Sequence, residues 1–203
     1  MRETARVIAV ERAALIDLDR AIGDADHGEN LDRGFTAVLG KLDAADAPAT
    51  PATVLKLVAM TLMSTVGGAA GPLYGTAFLR AATSLGDAGE IDAAQVATMI
   101  AAARDGIVAR GKAEPGDKTM VDAWTPAADA ATTAAREGSA AAAVLAAAAD
   151  AARSGAEATE PLLARKGRAS YLGERSIGHR DPGAVSSALI LQAAADAAGD
   201  GTP

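Results

Sequence analysis

The stretch "VIAVERAALIDLDRAIGDADHGENLDRGFTAVLGKL", residues 7–42, decides how the chain folds. Its first part carries Val7, Ile8, Leu15 and Leu18 at helical spacing, predicting a helix over about 3–20. Its last part carries Leu31, Phe35, Val38, Leu39 and Leu42 as one stripe, predicting a second helix over about 29–43. Between them "IGDADHGEN", 22–30, is dense in acids, with a histidine, an amide and two glycines. The pattern is helix, polar turn, helix.

The same alternation continues outward. Thr50 and Pro51 read as N-cap and first-turn proline of a helix to about Val66. After "GGAAG", Pro72 opens a fourth helix to Leu85, and Asp92 caps a fifth that ends at Gly111, read as its C-cap. Helices over about 119–136 and 139–164 follow, then an irregular segment over 165–182 and a last helix from Gly183 to Gly199. Eight helices and no strand predict an all-α antiparallel bundle or barrel, a single domain over 1–203. The polar, glycine-bearing connections 22–30, 67–71, 111–118 and 165–182 alternate along the chain. In an up-and-down arrangement they share one end and form a single site.

Composition narrows the function. Aromatic residues make up only 2%, so the core is built from Ala, Leu, Val, Ile and Met in closely packed helices. A net charge of −7 with one short basic cluster, "RKGR" at 165–168, argues against nucleic acid as the ligand. An anionic small ligand would need cations or backbone N–H groups to offset that field. The absence of cysteine fits the cytoplasm, and the chain shows neither a signal-type apolar run nor a bilayer-spanning one.

Asp19, Asp24 and Asp26 fall at the end of the first helix and in the following turn. Three such acids repel one another unless cations lie between them, and hard oxygen donors suit Mg²⁺. A solvated acidic turn with Asp26 as N-cap meets the same spacing. A calcium EF-hand does not, because Gly28, Glu29 and Phe35 occupy positions five, six and twelve of its loop. "GIVARGKA", 106–113, imitates a P-loop, but Ala113 replaces the Mg²⁺-binding hydroxyl and the motif ends a helix instead of opening one.

"VGGAAGP", 66–72, places small residues at a helix start, where dipole and N–H groups favour a phosphate; taken alone, the stretch reads more simply as a tight interhelical turn. The run "RKGRASYLGERSIGHRDPGA", 165–184, is basic enough to fold over an anion. Met120 and Trp124 read as core, and the loop positions of His27 and His179 argue against a core role for either. Together these features describe a Mg–nucleotide or Mg–polyphosphate site without a P-loop.

The strings "IGDADHGENLDRGF", "STVGGAAGPLYGT", "ARGKAEPGDKTM" and "ARKGRASYLGERSIGHRDPGA" resemble the nucleotide-binding L subunit of dihydroxyacetone kinase. The resemblance spans about Asp19 to Gly183 and implies an eight-helix antiparallel barrel holding ADP or ATP with two Mg²⁺ at one end. It implies Asp19, Asp24 and Asp26 as metal ligands, with His27, Gly28, Glu29, Asn30, Ala69 and Ala70 along the nucleotide. Gly111 and Met120 would flank the base, and Arg168 with Asp181, Pro182 and Gly183 would close the site, Arg168 also stabilising the transferred phosphate. At Ala70 the family commonly carries a hydroxyl, so a phosphate contact there falls to the backbone N–H.

The implied activity passes a phosphoryl group from a phosphohistidine M subunit, through bound nucleotide, to dihydroxyacetone on a K subunit. Two other functions stay open. One is the nucleotide part of an ATP-dependent ketose kinase, and the other is a nonenzymatic nucleotide sensor that binds a transcription regulator. The lack of a K-like portion in these 203 residues favours the separate-subunit system.

Overall fold

A computed structural model describes residues 1–44 and 50–199; the span 1–203 expected for one domain thus includes nine positions, 45–49 and 200–203, outside the description. Eight α-helices succeed one another: α1 (Arg2–Ile22), α2 (His27–Ala44), α3 (Pro51–Thr65), α4 (Ala70–Leu85), α5 (Ala93–Gly111), α6 (Val121–Arg136), α7 (Ala141–Ala158) and α8 (Pro182–Gly199). Each packs on the next, and α8 returns to α1, so the helices form a closed ring. No strand occurs among the described residues, as the periodicity predicts.

The core consists of the inward stripes. On α1 the buried residues Ile8, Leu15 and Ile22 repeat at seven-residue spacing. On α6 and α7, which pack against each other, the buried residues are mostly alanines, among them Ala123, Ala127, Ala131, Ala148 and Ala152, all fully enclosed. Small side chains let neighbouring helices approach closely, which is how a chain poor in aromatics fills a barrel. Tyr74 and Phe35 are the largest wholly buried side chains. No described helix is long and apolar enough to cross a membrane.

The helix ends refine the expectation. Asp92 forms a full capping box with Gln95, and the Thr50 side chain accepts from Thr53 N, so both predicted N-caps hold. α4 starts at Ala70, ahead of Pro72, because a proline anywhere in the first turn forfeits no helical hydrogen bond. α7 stops at Ala158 and not near 164, since Pro161 cannot continue it and biases Glu160 away from helix. Gly111 is the last helical residue, and the left-handed C-cap is Lys112 at φ 53°. The segment expected to be irregular contains a 3-10 stretch, Arg168–Ser176, kinked at Gly173.

Candidate functional site

Alternation of the helices places the four predicted connections at one end, where they surround a cavity of about 500 Å³. That volume lies in the ordinary range for small-molecule sites. The up-and-down order has a second consequence: the N-termini of α2, α4, α6 and α8 all lie at this end. First-turn amides have no helical acceptor and carry the positive end of each dipole, so an acidic chain still presents partial positive charge here.

The acidic group forms at the α1–α2 turn. One carboxylate oxygen each from Asp19, Asp24 and Asp26 lie within 4.8 Å of one another. Asp19 is buried because it shares the inward stripe of α1, four residues after Leu15 and three before Ile22. Its Oδ2 accepts from the backbone N of Asp26 at 2.8 Å and of His27 at 3.1 Å, so a side chain of α1 caps the start of α2. Gly23 is required by this arrangement, since a Cβ there would collide with Asp19 Oδ1. Ala25 holds the turn at φ 63°, one of three non-glycine residues in the left-handed region among the described residues; the other two are Lys112 and Lys118, also in connections at this end. Such conformations persist only where the surroundings enforce them.

His27 corrects the loop expectation. It is the first residue of α2 and only 9% exposed, and its Nε2 lies 2.8 Å from Ser186 Oγ. Ser186 in turn meets Tyr74 Oη at 2.6 Å, and Tyr74 reaches Ser187 Oγ at 3.0 Å. Burial pushes the imidazole below its ordinary pKa against the pull of Asp19, Asp26 and Asp24. His179, by contrast, is exposed.

The α7–α8 connection supplies the opposite wall. Arg168 Nη2 reaches across the mouth to Asp24 Oδ2 at 3.0 Å. Asp181 caps α8, accepting from Ala184 N at 2.7 Å, and Pro182 follows as the first helical residue. Burial pushes the Asp181 carboxyl up to about 7; the Ala184 N–H and Lys118 oppose the shift, while Asp122 and Asp19 add to it.

Most of the predicted residues meet at the cavity: Asp19, Asp24, Asp26, His27 and Asn30 from the first turn, Ala69 and Ala70 from the second, Gly111 and Met120 from the third, and Arg168, Asp181, Pro182 and Gly183 from the fourth. Gly28 and Glu29 are not among its lining residues. Gly28 faces α1, where a Cβ would strike the Arg12 carbonyl, and Glu29 is exposed. Trp124 is core as expected, whereas Met120 is both buried and lining. Sequence reasoning missed Lys118, which lies in the cavity wall at 1% exposure. The signal available was a lysine inside the predicted loop "KAEPGDK", but nothing local distinguishes it from a solvated one.

The donor set fits a hard divalent cation, three convergent carboxylates with room for further oxygen ligands. Apolar Ile22, Leu73, Ile107 and Met120 line the same cavity, as a nucleoside would require. Fold and site thus define an all-α ring with an acidic end cavity framed by helix N-termini, a class apart from P-loop proteins.

The comparisons agree. The DAK2 domain matches residues 21–196. The chain is 46% identical over 192 residues to the PEP-dependent dihydroxyacetone kinase, ADP-binding subunit DhaL, of Escherichia coli, covering 95% of this chain and 91% of that one. It is 42% identical over 186 residues to the PTS-dependent counterpart of Lactococcus lactis, covering 91% and 88%. The crystal structure of the dihydroxyacetone kinase from C. freundii in complex with AMP-PNP and Mg²⁺ superposes with a TM-score of 0.73 at 25% identity, covering 96% of this chain and 32% of that longer one. The chain belongs to the DAK2 family.

Proposed function

We propose that this chain is the ADP-binding subunit of a dihydroxyacetone kinase, one nucleotide-binding domain over 1–203 that acts in the cytoplasm with K- and M-type partner subunits. The observation that carries the reading is the meeting of the Asp19, Asp24 and Asp26 carboxylates within 4.8 Å at the wall of the end cavity. Similarity to the DhaL subunits over nearly their whole length supports the partners, with a phosphohistidine donor on M and dihydroxyacetone on K.

In this reading the three aspartates hold two Mg²⁺, and the cavity holds ADP or ATP. When bound, Mg²⁺ and nucleotide supply the phosphoryl carrier and neutralise its charge. The chain's own residues bind and orient. Ala69 and Ala70 at the start of α4 line the cavity, and their small side chains would leave backbone N–H groups accessible to phosphate oxygens. Asn30 and His27 line the phosphate side, while Met120 and Gly111 flank the base. Arg168, paired with Asp24 across the mouth, would be the cation placed to stabilise charge on a transferred phosphate. No side chain of this cavity is assigned as the base for the sugar hydroxyl, which the K subunit presents.

Native mass spectrometry of the purified protein tests the reading, with ADP and Mg²⁺ retained as the expected result. A nucleotide-free protein that also fails to bind Mg·ADP in calorimetry would sink it. Mixing with K and M partners, phosphoenolpyruvate and dihydroxyacetone should yield triose phosphate. Turnover only when free ATP is supplied would instead support the ATP-dependent reading favoured by the likeness to a C. freundii kinase three times as long. Nucleotide binding without turnover, together with capture of a transcription regulator, would support a sensor.

A further inference from the structure

The connection between α7 and α8 carries Arg168 to the mouth of the cavity and Asp181 to its wall, but most of its side chains are exposed. Something must hold so polar a loop in place. Lys118, on the neighbouring α5–α6 connection, is 1% exposed and left-handed at φ 63°. Its Nζ lies within hydrogen-bonding distance of four main-chain carbonyl oxygens, which share its three N–H donors: Thr159 at 2.9 Å, Glu160 at 3.3 Å, Leu162 at 3.1 Å and Ser176 at 2.7 Å. Three of these lie where the chain leaves α7, and the fourth closes the 3-10 stretch.

One ammonium therefore joins the outgoing and returning limbs of the loop. Other bonds stitch the same cross-section: Gly178 N to Glu160 O at 2.8 Å, Ala164 N to Ser176 Oγ at 3.0 Å, and Asp181 N to Thr159 Oγ1 at 2.9 Å. Arg165 N donates to Asp117 O at 3.0 Å, which ties the loop to the residue beside Lys118.

Carbonyl dipoles that converge with their negative ends inward repel each other unless a cation lies between them. Four neutral oxygens around one charge are the donor set of a monovalent cation site, and lysine's compact ammonium is a point charge of that kind. We propose that Lys118 is a positioning residue that serves as a built-in monovalent cation, its ammonium clasping both limbs of the α7–α8 connection and so fixing the loop that brings Arg168 and Asp181 to the cavity. Covalent attachment makes the clasp permanent, where a free ion would exchange. The clasp stands on the four carbonyls alone; only its effect on nucleotide rests on the proposed function.

Two variants test it. Lys118→Met keeps the length of the stem and removes the charge and its donors. Its helices are expected to persist by circular dichroism, while trypsin cuts after Arg165, Lys166 and Arg168 about tenfold faster relative to Arg136, since local opening governs such cleavage. Mg·ADP affinity, measured on the same sample, should fall by about tenfold, roughly 1.4 kcal/mol. In Lys118→Ala, propylammonium replaces the missing methylenes and charge and should slow loop cleavage toward the wild-type rate, whereas 1-propanol should not.

Wild-type cleavage of the loop in Lys118→Met would overturn the clasp. So would equal acceleration at Arg136, or equal rescue by propanol. Should Lys118→Met lose its helices, return of the Lys118→Ala helical signal with propylammonium but not propanol supports the clasp, and no return overturns it. A loosened loop with unchanged Mg·ADP affinity refutes the coupling of the clasp to Arg168 and Asp181. Failure of the wild-type protein to bind Mg·ADP instead removes the nucleotide reading and leaves the cleavage test intact.

Discussion

Asp24 and Asp19 show how differently two aspartates of one cluster are built. Asp19 is buried on the apolar stripe of α1, with an oxygen committed to two backbone amides. Asp24 is more exposed, paired with Arg168, and can turn toward a cation without disturbing a helix. Asp24→Ala should therefore keep the protein helical by circular dichroism while Mg²⁺ and Mg·ADP affinity fall by tenfold or more in calorimetry, about 1.4 kcal/mol or above; unchanged affinity would remove the ligand assignment.

Asp181 makes a separate prediction at the same scale. Its native carboxyl is pushed up from 3.8 to about 7, chiefly by burial. Between those limits the folded chain holds a proton that the unfolded chain has released, so this group's contribution to stability falls as pH rises through that window. Asp181→Asn, which can still cap α8, should flatten that slope in urea unfolding measured from pH 5 to pH 7. An unaltered slope would mean that another group titrates.

At the scale of elements, the contact between α1 and α2 sets the acidic turn, because the two helices must approach closely just beyond it. Gly28 makes the approach possible, with the Arg12 carbonyl and Ile16 where a side chain would go. Gly28→Val should destabilise the protein by about 1–3 kcal/mol through overpacking, read as a lower urea midpoint at constant m-value. Mg²⁺ affinity should fall with it, since the same displacement moves Asp19 away from Asp24 and Asp26. A full loss of stability with normal metal binding would separate the packing from the site. At this scale the sequence was legible wherever a local rule operates. Asp92 and Thr50 are caps because their side chains bond within three residues, whereas α7 ends at Ala158, ahead of Pro161 and inside the span 139–164 expected to be helical.

For the whole molecule, the ring places the positive ends of α2, α4, α6 and α8 around one cavity in a chain of net charge −7. Ligand and cation then bind as a unit, each relieving what the other would suffer: the acids need cations, and the amides need anions. Mg²⁺ and ADP together should raise the melting temperature. At a concentration one hundred times Kd the gain is about 2.7 kcal/mol, several degrees for a chain this size. ADP with a chelator, or Mg²⁺ alone, should give much less, and equal shifts would contradict a joint site.

The helical periods, their order and the chemistry of the connections were properties of the sequence by itself. From them followed an antiparallel bundle or barrel and the gathering of residues 22–30, 67–71, 111–118 and 165–182 at one end, because an up-and-down order depends only on counting helices. Closure of the ring rests instead on the packing of α8 against α1. Which atoms meet there was decided by tertiary structure. Asp19 caps a helix other than its own, His27 is buried against Ser186 of α8, Gly28 and Glu29 turn away from the cavity, and Lys118 gathers carbonyls more than forty residues distant. Periodicity and capping act within one or two turns of chain, whereas burial and hydrogen-bond partners depend on segments brought together only when the ring closes.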